Sequence, residues 1–290
     1  MKKIADSELI INPDGSVYHL HLRPEHIADN VILVGDPGRV QLISSFFDTI
    51  EHRISNREFV THTGIYKNTR FTVIATGIGT DNIDIVMNEL DAAVNIDLKT
   101  KQIKDDKKSL NLVRIGTSGA LQADIPIDSF LLSEKAMGFD GLMHFYSSEL
   151  NVNEVEIAEE FCKYANWNEN LAKPYVISAS ESLTKRLEKG TRKGITATAS
   201  GFYAPQGRVL RLSPQMPNYP ETLSNFSTGD LKVTNFEMET SALYGLSKAL
   251  GHEACTICAI IANRKTKEFS KNPELPINKL IKHVLNNLTI

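Results

Sequence analysis

The segment VILVGDPG, residues 31–38, is an uninterrupted run of apolar residues that ends at a glycine, an aspartate and a proline. Such a run is typical of a strand covered on both faces, because a strand with one solvent-facing side alternates apolar and polar residues. The same form recurs in FTVIATGIG from Phe71, LVRIGTSGA from Leu112, SFLLS from Ser129, GITATASG from Gly194 and CTICAIIANR from Cys255. We therefore expect several buried strands in a parallel or mixed sheet.

Between these runs lie segments with helical spacing of apolar residues. One follows TGIGTDN, a second covers residues 152–162, and a third covers residues 277–288 with Pro276 beside its start. Strands that alternate with amphipathic helices predict an α/β protein, here a three-layer α/β/α sandwich around a central mixed sheet. No internal repeat, low-complexity segment or linker interrupts the pattern, so we expect a single domain over residues 1–290.

Composition excludes several classes of protein. The 290 residues are 41% hydrophobic and 23% charged, with a net charge of −3, so there is no overall charge excess for nucleic acid or an anionic membrane. No apolar run reaches about 18 residues, and the N-terminal residues lack the apolar centre of a signal peptide. These features predict a cytoplasmic protein without a membrane span.

The chain has 3 cysteines, which are Cys162, Cys255 and Cys258. The last two form CTIC, which suits a redox pair or half of a zinc site. However, they lie in a continuous apolar run and no second ligand pair accompanies them. We therefore expect buried structural cysteines, and so sparse and odd a set favours a reducing compartment.

Three segments place arginine or glycine where a strand is expected to end. In an open α/β sheet, ligands gather at the carboxyl ends of the strands. Glycine there lets backbone N–H groups approach an anion, and arginine matches phosphate oxygens bidentately. Arg114 lies inside an apolar strand and needs an anionic partner, which leaves an internal salt bridge as the alternative. The segments are GDPGR with Gly35 and Arg39, RIGTSGA with Arg114, Gly116 and Thr117, and NREF with Arg57.

Three further segments invite a functional interpretation. TGIGTD, residues 76–81, has a G-x-G before a helix, but Asn82 replaces the third glycine, so no dinucleotide site is predicted. NFEMETSAL, residues 235–243, is expected to open a helix whose glutamates complement the dipole or bind the vicinal hydroxyls of a sugar. SGFYAPQGRVLRL, residues 200–212, is too irregular for a helix and forms either an ordered surface loop or a binding loop.

The set GDPGR, REF, RIGTSGA, FYAPQGR, NFEMET and IIANR, in this order and spacing, resembles the nucleoside phosphorylase family. Within that family it is most similar to the members that act on uridine. The resemblance runs from about residue 19 to residue 264. It implies reversible phosphorolysis of uridine to uracil and ribose 1-phosphate, a step of pyrimidine salvage, with uridine and inorganic phosphate as partners.

The resemblance also implies a role for individual residues. Catalysis falls to Arg114, Gln206, Arg208 and Glu239. The implied phosphate site comprises Gly35, Arg39, Arg57, Arg114 and Thr117, and the ribose site comprises His19, Thr117, Met238 and Glu239. Phe202, Gln206, Arg208 and Arg264 are implied to form or support the base site. Arg57 and His19 are expected to reach in from a neighbouring subunit of a homo-oligomer, either a dimer or a hexamer.

Other implications of the resemblance concern cofactors and base choice. No cofactor and no catalytic metal are expected, since phosphate is a co-substrate. Some relatives bind a monovalent cation through the glutamate matching Glu58, but the altered loop with Asn82 leaves that site open. Asn263 stands where purine enzymes carry an aspartate, which favours a pyrimidine base. A purine nucleoside phosphorylase, a nucleosidase and a non-catalytic nucleoside-binding protein remain alternatives.

The charged segment Asp97–Asn111 is expected to be a solvated helix end and loop, or a subunit contact.

Overall fold

The chain folds into a large mixed sheet with helices on both faces. The computed structural model describes residues 3–289. Its strands are β1 (Asn30–Val34), β2 (Thr49–Asn56), β3 (Phe59–Tyr66), β4 (Thr69–Ala75), β5 (Ile96–Asp97), β6 (Gln102–Ile103), β7 (Asn111–Ala120), β8 (Phe130–Gly138), β9 (Tyr175–Ser178), β10 (Arg192–Thr198), β11 (Ser227–Thr228), β12 (Leu231–Glu237), β13 (Glu253–Asn263) and β14 (Glu268–Phe269). Its helices are α1 (Pro37–Ser44), α2 (Thr80–Asn95), α3 (Val152–Ala165), α4 (Glu181–Leu187), α5 (Tyr219–Asn225), α6 (Thr240–Leu250) and α7 (Glu274–Leu288).

Strand β1 shows why the apolar runs form interior strands. Val31 and Leu33 pack into the core cluster that α2 and α6 complete on one face of the sheet. Ile32 and Val34 pack into the cluster that α1 and α7 complete on the opposite face. All four side chains are fully buried. Because both faces are covered, the strand is apolar at every position, and the predicted α/β sandwich is confirmed.

The topology of the sheet gathers strand ends at one edge. The strand order is β11-β12-β10-β8-β13-β7-β1-β4-β3-β2, with β9 beside β8 and β14 beside β13. β1 runs parallel to β4 and β7, whereas β8 is antiparallel to β13, so the sheet is mixed as predicted. The end of β7 also pairs with β12, through Ala120–Asn235 and Gly119–Phe236, so that five strands close into a ring. This closure brings the final residues of β7 and β12 together.

The segment NFEMETSAL opens a helix as predicted, but its first three residues belong to a strand. Strand β12 continues to Glu237, and α6 begins at Thr240 with Glu239 as its N-cap. The reason is tertiary, since Asn235 is held in the sheet by β7 and β10. The Glu237 carboxylate still serves the helix terminus, because it accepts the backbone N–H groups of Glu239 and Thr240.

The charged segment Asp97–Asn111 also differs from its expected form. Its first part is a small hairpin in which β5 pairs with β6. The turn is stabilised by the Asp97 carboxylate, which accepts the backbone N–H groups of Lys99 and Thr100. A charged composition concealed this hairpin because both short strands lie on the surface. Its role in subunit contact stays a prediction.

The cysteines lie as the sequence predicts. Cys255 and Cys258 are fully buried on β13, and Cys162 is half-buried; all three are free thiols. Burial raises the pKa of Cys255 and of Cys258 to about 12. Neither buried thiol is therefore a reactive thiolate near neutral pH. Within residues 3–289, no helix combines the length and apolarity that a bilayer crossing requires.

Candidate active site

A cleft of about 570 Å³ opens where β1, β7, β12 and β13 end. It brings together ten of the twelve residues predicted for the site. These are Gly35, Arg39, Arg114, Thr117, Phe202, Gln206, Arg208, Met238, Glu239 and Arg264. The two predicted residues that do not line the cleft of their own chain are His19 and Arg57.

One end of the cleft is cationic. Asp36 caps α1 by accepting the N–H of Gly38, which sets Arg39 in the first turn of that helix. The Arg39 Nη1 donates to the carbonyl of Ile115 at 3.3 Å. Burial lowers the pKa of Arg39, and the positive charge of Arg114 lowers it further. Two guanidinium groups thus share a half-buried end of the cleft, an arrangement that favours a bound anion.

Arg114 reaches the cleft because residue 116 is glycine. A Cβ at Gly116 would lie 2.2 Å from Arg114 Nη1, so any side chain there would displace the guanidinium. Arg114 forms a short ion pair with Glu239 and a second pair with Glu237, whose Oε2 is 3.5 Å from Nη1. Burial alone would lower the pKa of Arg114, but these two carboxylates outweigh it and raise that pKa. The internal salt bridge that the sequence left open is therefore present, and the same arginine lines the cleft.

Glu239 lines the cleft beside Met238. Its Oε1 accepts the backbone N–H of Gly79 at 2.9 Å, and its Oε2 faces Arg114. Gly79 has φ 97°, a conformation that glycine adopts readily. The G-x-G of residues 77–79 therefore holds a carboxylate through the backbone N–H of Gly79.

The loop after β10 builds another part of the cleft wall. The Arg208 guanidinium stacks on the Phe202 ring at 3.8 Å, and its Nη1 donates to Gln206 Oε1 at 2.6 Å. Arg264 donates to the backbone carbonyl of Gln206 and so ties the loop to the end of β13. Gln206 is 3% exposed, so this loop is an ordered wall of the cleft. The sequence did not predict that Arg208 covers one face of Phe202.

Several lining residues were not identified from the sequence. They are mainly apolar, and include Ile78, Phe236, Ile261 and Phe269. Ile261 lies at a bulge of β13, where the register with β7 shifts. Phe236 lies in NFEMET and Ile261 in IIANR, two segments that carry predicted site residues. Their place beside those residues was the signal that could have identified them. Phe269 carries no such signal, because it reaches the cleft only through the pairing of β14 with β13.

Asn263 plays a structural role. Its Nδ2 donates to the carbonyls of Gln122 and Ile125, and its Oδ1 accepts the N–H groups of Lys265 and Thr266. All the hydrogen-bonding capacity of the amide is thereby used. The side chain is 2% exposed and does not line the cleft, so it offers no proton to a ligand.

His19 and Arg57 form a separate surface cluster with Tyr18. Arg57 lies in the turn after β2, with its guanidinium 5.2 Å from the centre of the Tyr18 ring. His19 Nδ1 is 2.6 Å from Glu89 Oε1, which leaves Nε2 outside that ion pair. Arg57 does follow a strand end, but β2 belongs to an antiparallel meander and does not end at the cleft.

Comparison with known proteins identifies the family. The profile described as "Phosphorylase superfamily" matches residues 29–284. The chain belongs to this superfamily.

Individual relatives cover almost the whole chain. A uridine phosphorylase of Thermococcus kodakarensis is 33% identical over 274 residues, which are 94% of this chain and 87% of that protein. A uridine phosphorylase of Haemophilus influenzae is 30% identical over 87% of this chain and 88% of its own length. A DeoD-type purine nucleoside phosphorylase of Buchnera aphidicola is 24% identical over 94% of this chain and 99% of its own length. The purine enzyme is thus the more distant relative.

The same fold occurs in a solved structure of a Trypanosoma brucei nucleoside phosphorylase, described as showing uridine phosphorylase activity. That structure has a TM-score of 0.86 at 32% identity and covers 97% of this chain and 99% of its own.

Proposed function

We propose that this protein is a uridine phosphorylase, a pentosyltransferase that converts uridine and phosphate reversibly to uracil and ribose 1-phosphate. The observation that carries the proposal is the layout of one cleft. Arg39 and Arg114 form a cationic group, Gln206 and Arg208 form a second polar group on the loop after β10, and Glu239 lines the same cleft in contact with Arg114. In uridine phosphorolysis the base and the phosphate lie on opposite sides of the ribose, and these residues offer a partner to each of the three groups.

Phosphate binding is assigned to the cationic end. Arg39 and Arg114 supply donors, and Gly35 and Thr117 line the same cleft. The attacking phosphate oxygen forms a bond to C1′ while the C1′–N1 bond breaks, and the sugar gains oxocarbenium character. Phosphate is already an anionic nucleophile, so the residues contribute position and electrostatics. No cofactor is assigned to this reaction, and no role is assigned to a monovalent cation beside Glu58.

Uracil leaves with the electron pair of the broken bond, so negative charge spreads over its ring and carbonyl oxygens. Gln206 and Arg208 are assigned to that edge, because an amide both donates and accepts while a guanidinium only donates. Donors aimed at a developing charge bind the transition state more tightly than the substrate, which lowers the barrier. Phe202 is assigned to the face of the base and Met238 to the sugar.

The cheapest test of the proposal is an assay of base release. We expect uracil release from uridine to require inorganic phosphate and to exceed hypoxanthine release from inosine by far. Phosphate-independent release would indicate a nucleosidase, and faster release from inosine would indicate a purine phosphorylase. No turnover of either nucleoside would leave only a binding protein.

We also infer a homo-oligomer in which His19 and Arg57 complete the cleft of a neighbouring subunit. Both residues lie outside the cleft of their own chain, and both contact the ring of Tyr18 at the surface. We further propose a cytoplasmic location, which three free cysteines support. A role in pyrimidine salvage is proposed from the similarity to a uridine phosphorylase.

Subunit mixing tests the shared site. Arg57→Ala and Arg208→Ala should each be nearly inactive alone, whereas a refolded equimolar mixture should recover about a quarter of wild-type activity if the oligomer is built from dimers. Half of such dimers are mixed, and one of their two clefts then has every residue intact. A mixture as inactive as its components would mean that Arg57 does not act across subunits.

A further inference from the structure

Glu237 stands at the wall of the cleft, two residues before Glu239, but its carboxylate is directed into the protein. Its side chain is 2% exposed. Oε1 accepts from the Thr198 hydroxyl at 2.6 Å. Oε2 accepts from the N–H groups of Glu239 and Thr240 at 3.0 and 2.9 Å and from the Thr240 hydroxyl at 2.7 Å.

The protein's own groups already hold this carboxylate. Oε2 accepts three hydrogen bonds and lies 3.5 Å from Arg114 Nη1, and Oε1 accepts a hydrogen bond from Thr198. A sugar hydroxyl that approached Oε2 would have to displace one of these donors, because a carboxylate oxygen offers about two lone-pair sites. Glu239 lines the same cleft and accepts the N–H of Gly79 on Oε1, and Arg114 and the N–H of Met238 on Oε2.

Glu237 also fixes the orientation of Glu239 and Arg114. It fixes the backbone of Glu239 through one hydrogen bond and the first residue of α6 through two more. α6 has no side-chain cap from its own N-cap residue, so the Glu237 charge serves the positive end of that helix. Through Nη1 it also holds the guanidinium of Arg114. A single buried carboxylate therefore connects the residue assigned to ribose with a residue assigned to phosphate.

We propose that Glu237 is a positioning residue, which orients Glu239 and Arg114 and does not itself contact the nucleoside. This inference deepens the proposed function and rests on it. The structure also indicates how Glu237 is anchored. Thr198 donates to it and accepts the N–H of Ser241, and Thr198 does not line the cleft.

The test is a set of variants measured for uridine phosphorolysis: Glu237→Gln, Glu239→Gln and the double variant. We expect Glu237→Gln to lower kcat/KM about 10–100-fold, the range seen when residues that orient metal ligands are removed. Because Glu237 acts through Glu239 and Arg114, the loss in the double variant should be clearly smaller than the product of the two single losses. Losses that multiply in the double variant would mean that Glu237 contacts substrate independently, and would overturn the inference.

Thr198→Val provides a second variant that preserves side-chain shape. It should lower kcat/KM in the same direction, and it should have no further effect in the Glu237→Gln background. Unchanged kcat/KM in Thr198→Val, or an effect that adds to Glu237→Gln, would contradict the anchoring. If the wild-type protein does not phosphorolyse uridine, the proposed function is overturned, and the inference with it. If the wild type is active but the kcat/KM losses multiply in the double variant, the inference alone is overturned.

Discussion

Replacing Arg208 with alanine should lower kcat/KM for uridine about 100–1,000-fold, the loss typical when one donor to a developing anion is removed. The reason is that uracil leaves with negative charge at the edge where Gln206 and Arg208 meet. Phosphate affinity should be unchanged, because phosphate is assigned to Arg39 and Arg114, whereas the hydrogen bonds of Arg208 go to Phe202 and Gln206. Steady-state kinetics and phosphate titration by calorimetry measure the two quantities.

Arg211→Ala is the matched control for this variant. Arg211 belongs to the same loop and carries the same charge, but it is exposed and does not line the cleft. It should retain nearly full activity. Equal losses of phosphate affinity and uridine turnover in Arg208→Ala would show that the arginine only supports the loop, since it also donates to the Phe202 carbonyl.

Replacing Arg114 with methionine should have the largest effect on stability. Arg114 is 5% exposed and neutralises Glu237 and Glu239, which are equally buried. Its removal leaves two buried carboxylates without a cation, which typically lowers the free energy of unfolding by about 3–5 kcal/mol. Arg39→Met is the matched variant, because Arg39 forms no salt bridge among residues 3–289 and loses only a hydrogen bond to Ile115, worth about 1 kcal/mol. Denaturant unfolding of both variants measures the difference.

The pH dependence of Arg114→Met provides an independent check of the same cause. Burial raises the pKa of Glu237, Arg114 opposes that shift, and the nearby Glu239 adds to it. Without Arg114 the carboxyl pKa should rise further, so the folded state binds protons more tightly than the unfolded state. The stability deficit should therefore shrink as pH falls and grow as pH rises through the raised pKa. A deficit that is the same at all pH values would mean that lost packing, and not unpaired charge, causes it.

The central sheet was predictable because its strands are covered on both faces. A run such as Val31–Val34 is apolar at every position only when both sides are buried, and that signal is local. Strands β2 and β3 were not predicted, since β2 alternates exposed and half-buried residues and carries several charges. The segment NFEMETSAL opens a helix as expected, but that helix begins at Thr240 and not at the first residues of the segment. Its local pattern suits a helix, but pairing with β7 and β10 extends the strand to Glu237.

Most residues of the candidate cleft could be named from the sequence, but their contacts could not. Glycine and arginine at strand ends indicated an anion site, the family resemblance supplied the other residues, and the structure places ten of the twelve along one cleft. What sequence could not supply were side-chain directions. Glu237 and Glu239 are two residues apart and both line the cleft, yet Glu237 accepts hydrogen bonds from Thr198 and the start of α6, whereas Glu239 bonds Gly79 and Arg114. Phe269 reaches the cleft only through a strand pairing.

A crystal structure with inorganic phosphate and uracil bound is the most direct test of the proposed cleft. The phosphate oxygens should lie within about 3 Å of the guanidinium nitrogens of Arg39 and Arg114, and the uracil edge should lie within the same distance of Gln206 and Arg208. The Glu239 carboxylate should then face the gap between the two ligands, where the pentose belongs. Uracil bound away from Gln206, or phosphate out of reach of both arginines, would contradict the assignment of this cleft to uridine phosphorolysis.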